Sequence, residues 1–164
     1  MNIVYYITSH GYGHGVRSTA LCNAFSDKVS ITFRTMLPES FFHEELKRPF
    51  RHLSKEFDCG CLQKDCVNVD IEKTLMTYSK IADRNRGELQ HEVNWLIENK
   101  FDLVISDITP FAFEVAHLAN IPSVGVSNFT WSDIYQEYVE KYPSFLPYLA
   151  EIKNQYQKAT WLAR

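Results

Sequence analysis

Apolar residues fall into two patterns along this chain. Short uninterrupted runs, rich in β-branched and aromatic side chains, predict buried strands at residues 3–8, 29–34, 50–53, 103–106 and 123–127, and a further strand can open at 160–163. Between them, apolar positions recur every three or four residues and predict helices at 16–25, 41–46, 110–119, 131–141 and 145–157, with Pro143 breaking the last two apart. The stretch 70–99 carries the same spacing through Leu75, Tyr78, Ile81, Ala82, Leu89, Val93, Leu96 and Ile97. It reads as one long helix or as two separated at Gly87, with Asp70 able to cap its start. Residues 55–69 have no period and hold most of the cysteines.

Strands alternate with helices, and the strands are apolar on both faces. That combination predicts an α/β fold, a Rossmann-like parallel sheet with helices on both faces. At 164 residues, without an internal repeat or a linker-like tract, the whole span 1–164 is expected to be a single domain. Composition narrows the function classes. Net charge is −3, and the largest basic cluster, Lys47-Arg48 to Arg51-His52, is short and interrupted by Pro49, which argues against a nucleic-acid partner. The N-terminus lacks a basic region followed by an apolar core, and no apolar run reaches the roughly 18 residues of a membrane span, so a cytoplasmic protein is expected. Of the four cysteines, Cys59-Gly60-Cys61 lacks the spacing that suits zinc. Free thiols are expected rather than a site built from Cys66 and His52, and no metal is assigned.

Three strand ends are polar, and ligands in open parallel sheets bind outside the carboxyl ends of the strands. The first is Ser9-His10-Gly11-Tyr12-Gly13-His14-Gly15-Val16-Arg17. Its glycines allow sharp turns and close backbone approach, and the helix start behind it offers free N–H groups. It matches neither G-x-x-x-x-G-K-[ST] nor G-x-G-x-x-G, so it is not read as a nucleotide loop of those kinds. Two histidines four apart beside glycines, with Arg17 following, point to proton transfer near neutral pH. Either histidine can instead simply brace the loop. The second end places Asp107 after a buried strand, where a carboxylate can orient an imidazole or cap the next helix. The third, Ser127-Asn128-Phe129-Thr130-Trp131, offers an amide, hydroxyls and rings that suit a sugar-like ligand, unless the rings are core and Thr130 is a cap.

The segments ITSHGYGHGVRS, FDCG and VISDITPFAFEVAHLANIPSVGVSNFTWSDIYQEY resemble the glycosyltransferase-like N-terminal region of plant-type L-arabinokinases and related bacterial glycosyltransferase-like proteins, over roughly residues 3–140. More distantly, the glycine-rich first loop with its histidine resembles MurG-like and UDP-sugar glycosyltransferases. The resemblance implies the N-terminal, acceptor-binding domain of a GT-B protein, in which a histidine after the first strand deprotonates the acceptor and a later aspartate orients it. His14 falls on that histidine, with His10 as the competing assignment, and Asp107 on the aspartate. Gly11, Gly13, Arg17, Ser127, Asn128 and Thr130 would then line the substrate pocket. No cofactor is implied. A nucleotide sugar is the expected co-substrate, held mainly by a C-terminal donor domain that the chain lacks, so the chain is expected to be incomplete alone. The expected partners are a small-molecule sugar acceptor, the nucleotide sugar and either a donor-domain partner or a second copy of the chain. The kinase portion of L-arabinokinase has no counterpart here, and no kinase activity is carried over. The alternative reading is a non-catalytic sugar- or nucleotide-binding module. A hydrolase is disfavoured because no Ser or Cys sits in a G-x-S-x-G elbow.

Overall fold

The computed structural model describes residues 1–163. Six strands form one parallel sheet: β1 (Asn2–Ile7), β2 (Ser30–Arg34), β3 (Arg51–Leu53), β4 (Leu103–Asp107), β5 (Ser123–Val126) and β6 (Trp161–Ala163). Their order across the sheet is β3-β2-β1-β4-β5-β6. The expected α/β, Rossmann-like class is therefore correct. Side chains alternate across the sheet with period two, and on β1 both sets are buried. Ile3, Tyr5 and Ile7 join Ile31, Phe33 and Ile105 beneath α1 (Tyr12–Asn23) and α2 (Glu39–Glu45). Val4 and Tyr6 join Val104 on the other face, beneath α3 (Ile71–Glu98) and α4 (Phe111–Leu118). A third apolar cluster lies under α5 (Trp131–Gln136) and α6 (Leu146–Gln157), with Trp131 and Tyr135 fully buried at its centre.

Several boundaries differ from the sequence expectations. The 70–99 stretch is a single helix, α3, capped by the Asp70 side chain accepting from the Lys73 N–H at 3.0 Å. Gly87 does not interrupt it, because the neighbouring i→i+4 bonds and the apolar stripe outweigh the roughly 1 kcal/mol helix penalty of one glycine. Helix α5 stops at Gln136 rather than near residue 141 and gives way to turns. A 3-10 turn at Pro143–Phe145 leads into α6. The consequential difference is in α1, which begins at Tyr12, four residues earlier than the apolar period suggests. Gly13, His14 and Gly15 are helical. Gly15 is buried where a Cβ would lie 2.6 Å from Phe41 Cε1 and 2.8 Å from Leu37 Cδ1, so its glycine serves close packing of α1 on the α2 side. Gly11, at φ 77°, makes the turn from β1 into the helix.

On the face opposite α1, Arg34 from the end of β2 pairs with the fully buried Glu92 of α3 through Nη2 at 2.5 Å and Nε at 3.0 Å. Tyr6 Oη donates to the same carboxylate at 2.8 Å, and Lys55 Nζ approaches it at 3.2 Å. The Arg34 guanidinium also lies over the Trp95 ring, 4.5 Å from its centroid.

Candidate active site

The sheet order reverses between β1 and β4, where the chain leads away to opposite sides; this is the position at which open α/β sheets place their ligands. Asp107 ends β4 opposite Ile7, the last residue of β1. The period of two puts its side chain on the α1 face, two positions beyond Ile105. On α1, His14, Arg17 and Ser18 stand at i, i+3 and i+4, so they share one helix face. All three converge on the fully buried Asp107 carboxylate. His14 Nδ1 lies 2.7 Å from Oδ1. Arg17 donates from Nε to Oδ2 at 2.9 Å and from Nη2 to Oδ1, and Ser18 Oγ donates to Oδ2 at 3.1 Å. A carboxylate can only accept, and its 2.7 Å contact with Nδ1 outweighs the 3.3 Å approach of Arg17 Nη2 to the same nitrogen, so the His14 proton is assigned to Nδ1, leaving the Nε2 lone pair free. Arg17 stabilises the buried charge, as such a group requires. It also reaches Asn128 Oδ1 through Nη1 at 3.5 Å, which brings the β5–α5 loop to the site.

The rest of the rim is aromatic and polar. The His14 ring meets the Phe129 ring edge-on, with centroids 6.0 Å apart. Ser127 Oγ accepts the Phe129 N–H at 3.3 Å. Gly11 and Gly13 are exposed, and nothing lies within 4 Å of where a Cβ would be at either, so their backbone is open to a ligand. Thr130 is placed differently from the other predicted lining residues. It forms the capping box of α5 with Asp133, and its hydroxyl also pairs with Ser132 Oγ at 2.7 Å. It is 8% exposed, a helix cap rather than a rim contact.

His10 is held apart from Asp107. Its Nδ1 accepts the Cys61 N–H at 3.3 Å and its ring stands edge-on to Trp131, with centroids 5.5 Å apart. Burial, reinforced by the neighbouring His14, lowers its pKa. Gly60 beneath it has φ 59°, and a Cβ there would lie 2.3 Å from His10 Cβ and Cγ. Gly60→Ala is therefore expected to displace the His10 ring and to lower stability by about 1–3 kcal/mol. Urea unfolding together with the His10 ring signals in NMR spectra checks both effects.

Asp58 is the site residue that sequence reasoning passes over. It lies in the aperiodic stretch, and its one signal is its place in the FDCG segment. It is buried between two strand ends, accepting from Thr8 Oγ1 and, at 2.6 Å, from Thr109 Oγ1. It thus ties the loop after β1, which leads into α1 and His14, to the loop that follows Asp107. Burial pushes its pKa up, offset in part by the two hydroxyls and by His14. A carboxyl whose folded-state pKa is raised contributes stability below its unfolded value, near 3.8, that is lost as pH rises through the folded value. Asp58→Asn should therefore gain stability relative to the parent chain as pH is raised across that window. Urea unfolding over a pH series measures the difference; a parallel pH dependence for both proteins contradicts the assignment.

No family model matches the sequence. The chain is 39% identical over 140 residues to L-arabinokinase of Arabidopsis thaliana, an alignment that takes in 82% of this chain and 13% of that protein. Among solved structures, Arabidopsis thaliana UGT89C1 complexed with UDP superposes with a TM-score of 0.57 at 14% identity, covering 99% of this chain and 45% of that one. LpCGTa in complex with UDP gives 0.51 at 20% identity, over 77% of this chain and 31% of that one. At such identities these two structures establish the fold. The chain spans less than half the length of each of these relatives. Among the described residues, no helix is long and apolar enough to cross a membrane.

Proposed function

We propose, for a chain that is glycosyltransferase-like in sequence and in fold, that it forms the acceptor side of a glycosyl transfer site, with most donor contacts supplied by a second domain. His14 Nε2 takes the proton of an acceptor hydroxyl. The acceptor oxygen forms a bond to the anomeric carbon of a nucleotide sugar, and the bond from that carbon to the diphosphate breaks, so the nucleotide diphosphate leaves with the electron pair. Asp107 fixes the His14 tautomer and stabilises the imidazolium that results, as in other His–Asp pairs. Arg17, Ser127 and Asn128, with the open backbone at Gly11 and Gly13, line the acceptor's approach. The observation that carries this reading is the 2.7 Å contact between His14 Nδ1, in the first turn of α1, and a fully buried Asp107 at the end of β4, made at the sheet's switch point. UDP is the favoured leaving group because both solved relatives above were crystallised with it.

The experiment is release of nucleoside diphosphate by the full-length protein from a panel of nucleotide sugars, with small sugars and polyols as acceptors. Acceptor-dependent release supports the proposal, and its absence across the panel points to the second reading, a sugar-binding module without turnover. One observation favours that second reading: Arg17 bonds both oxygens of Asp107 and so neutralises part of the charge that would stabilise an imidazolium. Calorimetry with the same panel separates the two, because a module binds a ligand that it does not convert.

A further inference from the structure

His10, in the loop after β1, and His14, in the first turn of α1, share a residue type but face different partners, and those partners dictate different protonation patterns. The Cys61 N–H is a donor, so His10 Nδ1 must present its lone pair to it. A neutral ring that accepts at Nδ1 carries its proton on Nε2. Asp107 is an acceptor, so His14 holds its proton on Nδ1 and presents a lone pair at Nε2. Neither Nε2 has a protein partner among the described residues, and neither is among the buried unpartnered polar atoms, so both reach solvent at the rim.

We infer that the two histidines are locked in opposite tautomers and act as a complementary pair, His14 as the proton acceptor and His10 as a neutral hydrogen-bond donor to a second oxygen of the same ligand. Three features hold His10 in that state. The Gly60 backbone approaches the ring so closely that no side chain fits between them. The edge of the ring rests against Trp131, itself fully buried. Partial burial and the nearby His14 disfavour a charge on His10. The charged and titratable groups around the pair include Arg17 on α1, Asp107 at the end of β4, and Asp58 and Cys61 from the 55–69 stretch, the last meeting His10 through its backbone N–H alone. Of these, Asp107 and Arg17 engage His14, and no side chain among them hydrogen-bonds His10.

A donor beside a base selects a ligand with two neighbouring oxygens, one to be deprotonated and one to accept. A sugar or polyol diol has that arrangement; a simple alcohol or a phenol does not. This pairing rests on the proposed acceptor role, but the tautomers do not, and the test separates them. Long-range proton–nitrogen NMR correlations on the chain labelled with nitrogen-15 histidine, assigned with His10→Gln and His14→Gln, read each ring directly. The expected result at neutral pH is a proton on Nε2 of His10 and on Nδ1 of His14. A His10 ring protonated at Nδ1, or carrying both protons, overturns the inference whatever the protein's activity. In the full-length protein, His10→Phe is expected to raise the KM for a diol acceptor about five- to tenfold, with kcat little changed and the KM for a mono-alcohol unmoved, as loss of one neutral hydrogen bond predicts. Equal changes for both acceptors overturn the donor role.

Discussion

If His14 is the proposed base, His14→Ala in the full-length protein is expected to lower turnover by about 10²–10⁴-fold, the usual contribution of a positioned general base. The variant should fold normally. The His14 side chain, 11% exposed, lies at the rim of the sheet outside the three apolar clusters, so its removal leaves a gap beside the rim rather than within the core. Asp107 keeps Arg17 and Ser18 as partners when the ring is gone, and its buried charge stays satisfied. These two points make His14 a cleaner probe than Asp107, whose replacement leaves the Arg17 guanidinium without its carboxylate and disturbs α1 as well as the chemistry. The expected signature is a fall in kcat with unfolding midpoints unchanged. Turnover equal to that of the parent protein, measured as diphosphate release, removes His14 from the role of base and leaves the binding module standing.

The largest effect on stability is expected at the other face of the sheet. Arg34→Met leaves the Glu92 carboxylate, which is fully buried, with Tyr6 and Lys55 as its remaining partners. Breaking a buried pair from one side typically costs about 3–5 kcal/mol, because the surviving charge has lost its compensation. The double variant Arg34→Met with Glu92→Leu removes both charges and should recover most of that loss, since a well-packed apolar pair is often neutral or better. The pair also sets an acid limit. Burial alone would raise the Glu92 pKa, but the bonds and charge of Arg34, with help from Lys55, outweigh it and leave the group lowered. A carboxylate with a depressed folded-state pKa contributes stability above its unfolded value, near 4.5, that is lost as pH falls through the folded value. The parent chain should therefore lose stability relative to the double variant as the solution is acidified through that window. Urea denaturation at several pH values measures both effects. A single variant as stable as the parent would show that Lys55 suffices to hold the charge.

Much of the fold was legible because parallel strands buried on both faces must be apolar throughout, and helices covering them must carry apolar residues every three to four positions. Strands β1, β2, β4 and β5 and the long α3 follow that rule, whereas the edge strands β3 and β6 are not buried on both faces. The start of α1 did not, because its first turn contains two glycines and a histidine rather than an apolar stripe, and only packing against Phe41 and Leu37 explains why Gly15 belongs there. The shortened α5 was also hidden, since the turns after Gln136 keep aromatic residues such as Tyr138 packed on the core at helix-like spacing.

For the site, the chain by itself determined the chemistry available. A histidine-rich glycine turn follows the first strand, a carboxylate ends a later buried strand, and both belong at the carboxyl rim of a parallel sheet. Tertiary structure decided which of these groups meet. Pairing of β4 with β1 on one side, instead of with the preceding strand β3, sets Asp107 beside the start of α1. Beginning that helix at Tyr12 turns His14, Arg17 and Ser18 onto one face, while His10, outside the helix, turns to the Cys61 backbone. Asp58 closes the same rim from a stretch with no periodicity at all. Local sequence encodes backbone preference and burial through short-range patterns. Which strand ends become neighbours depends on long-range packing, and that energy is not written in any one segment.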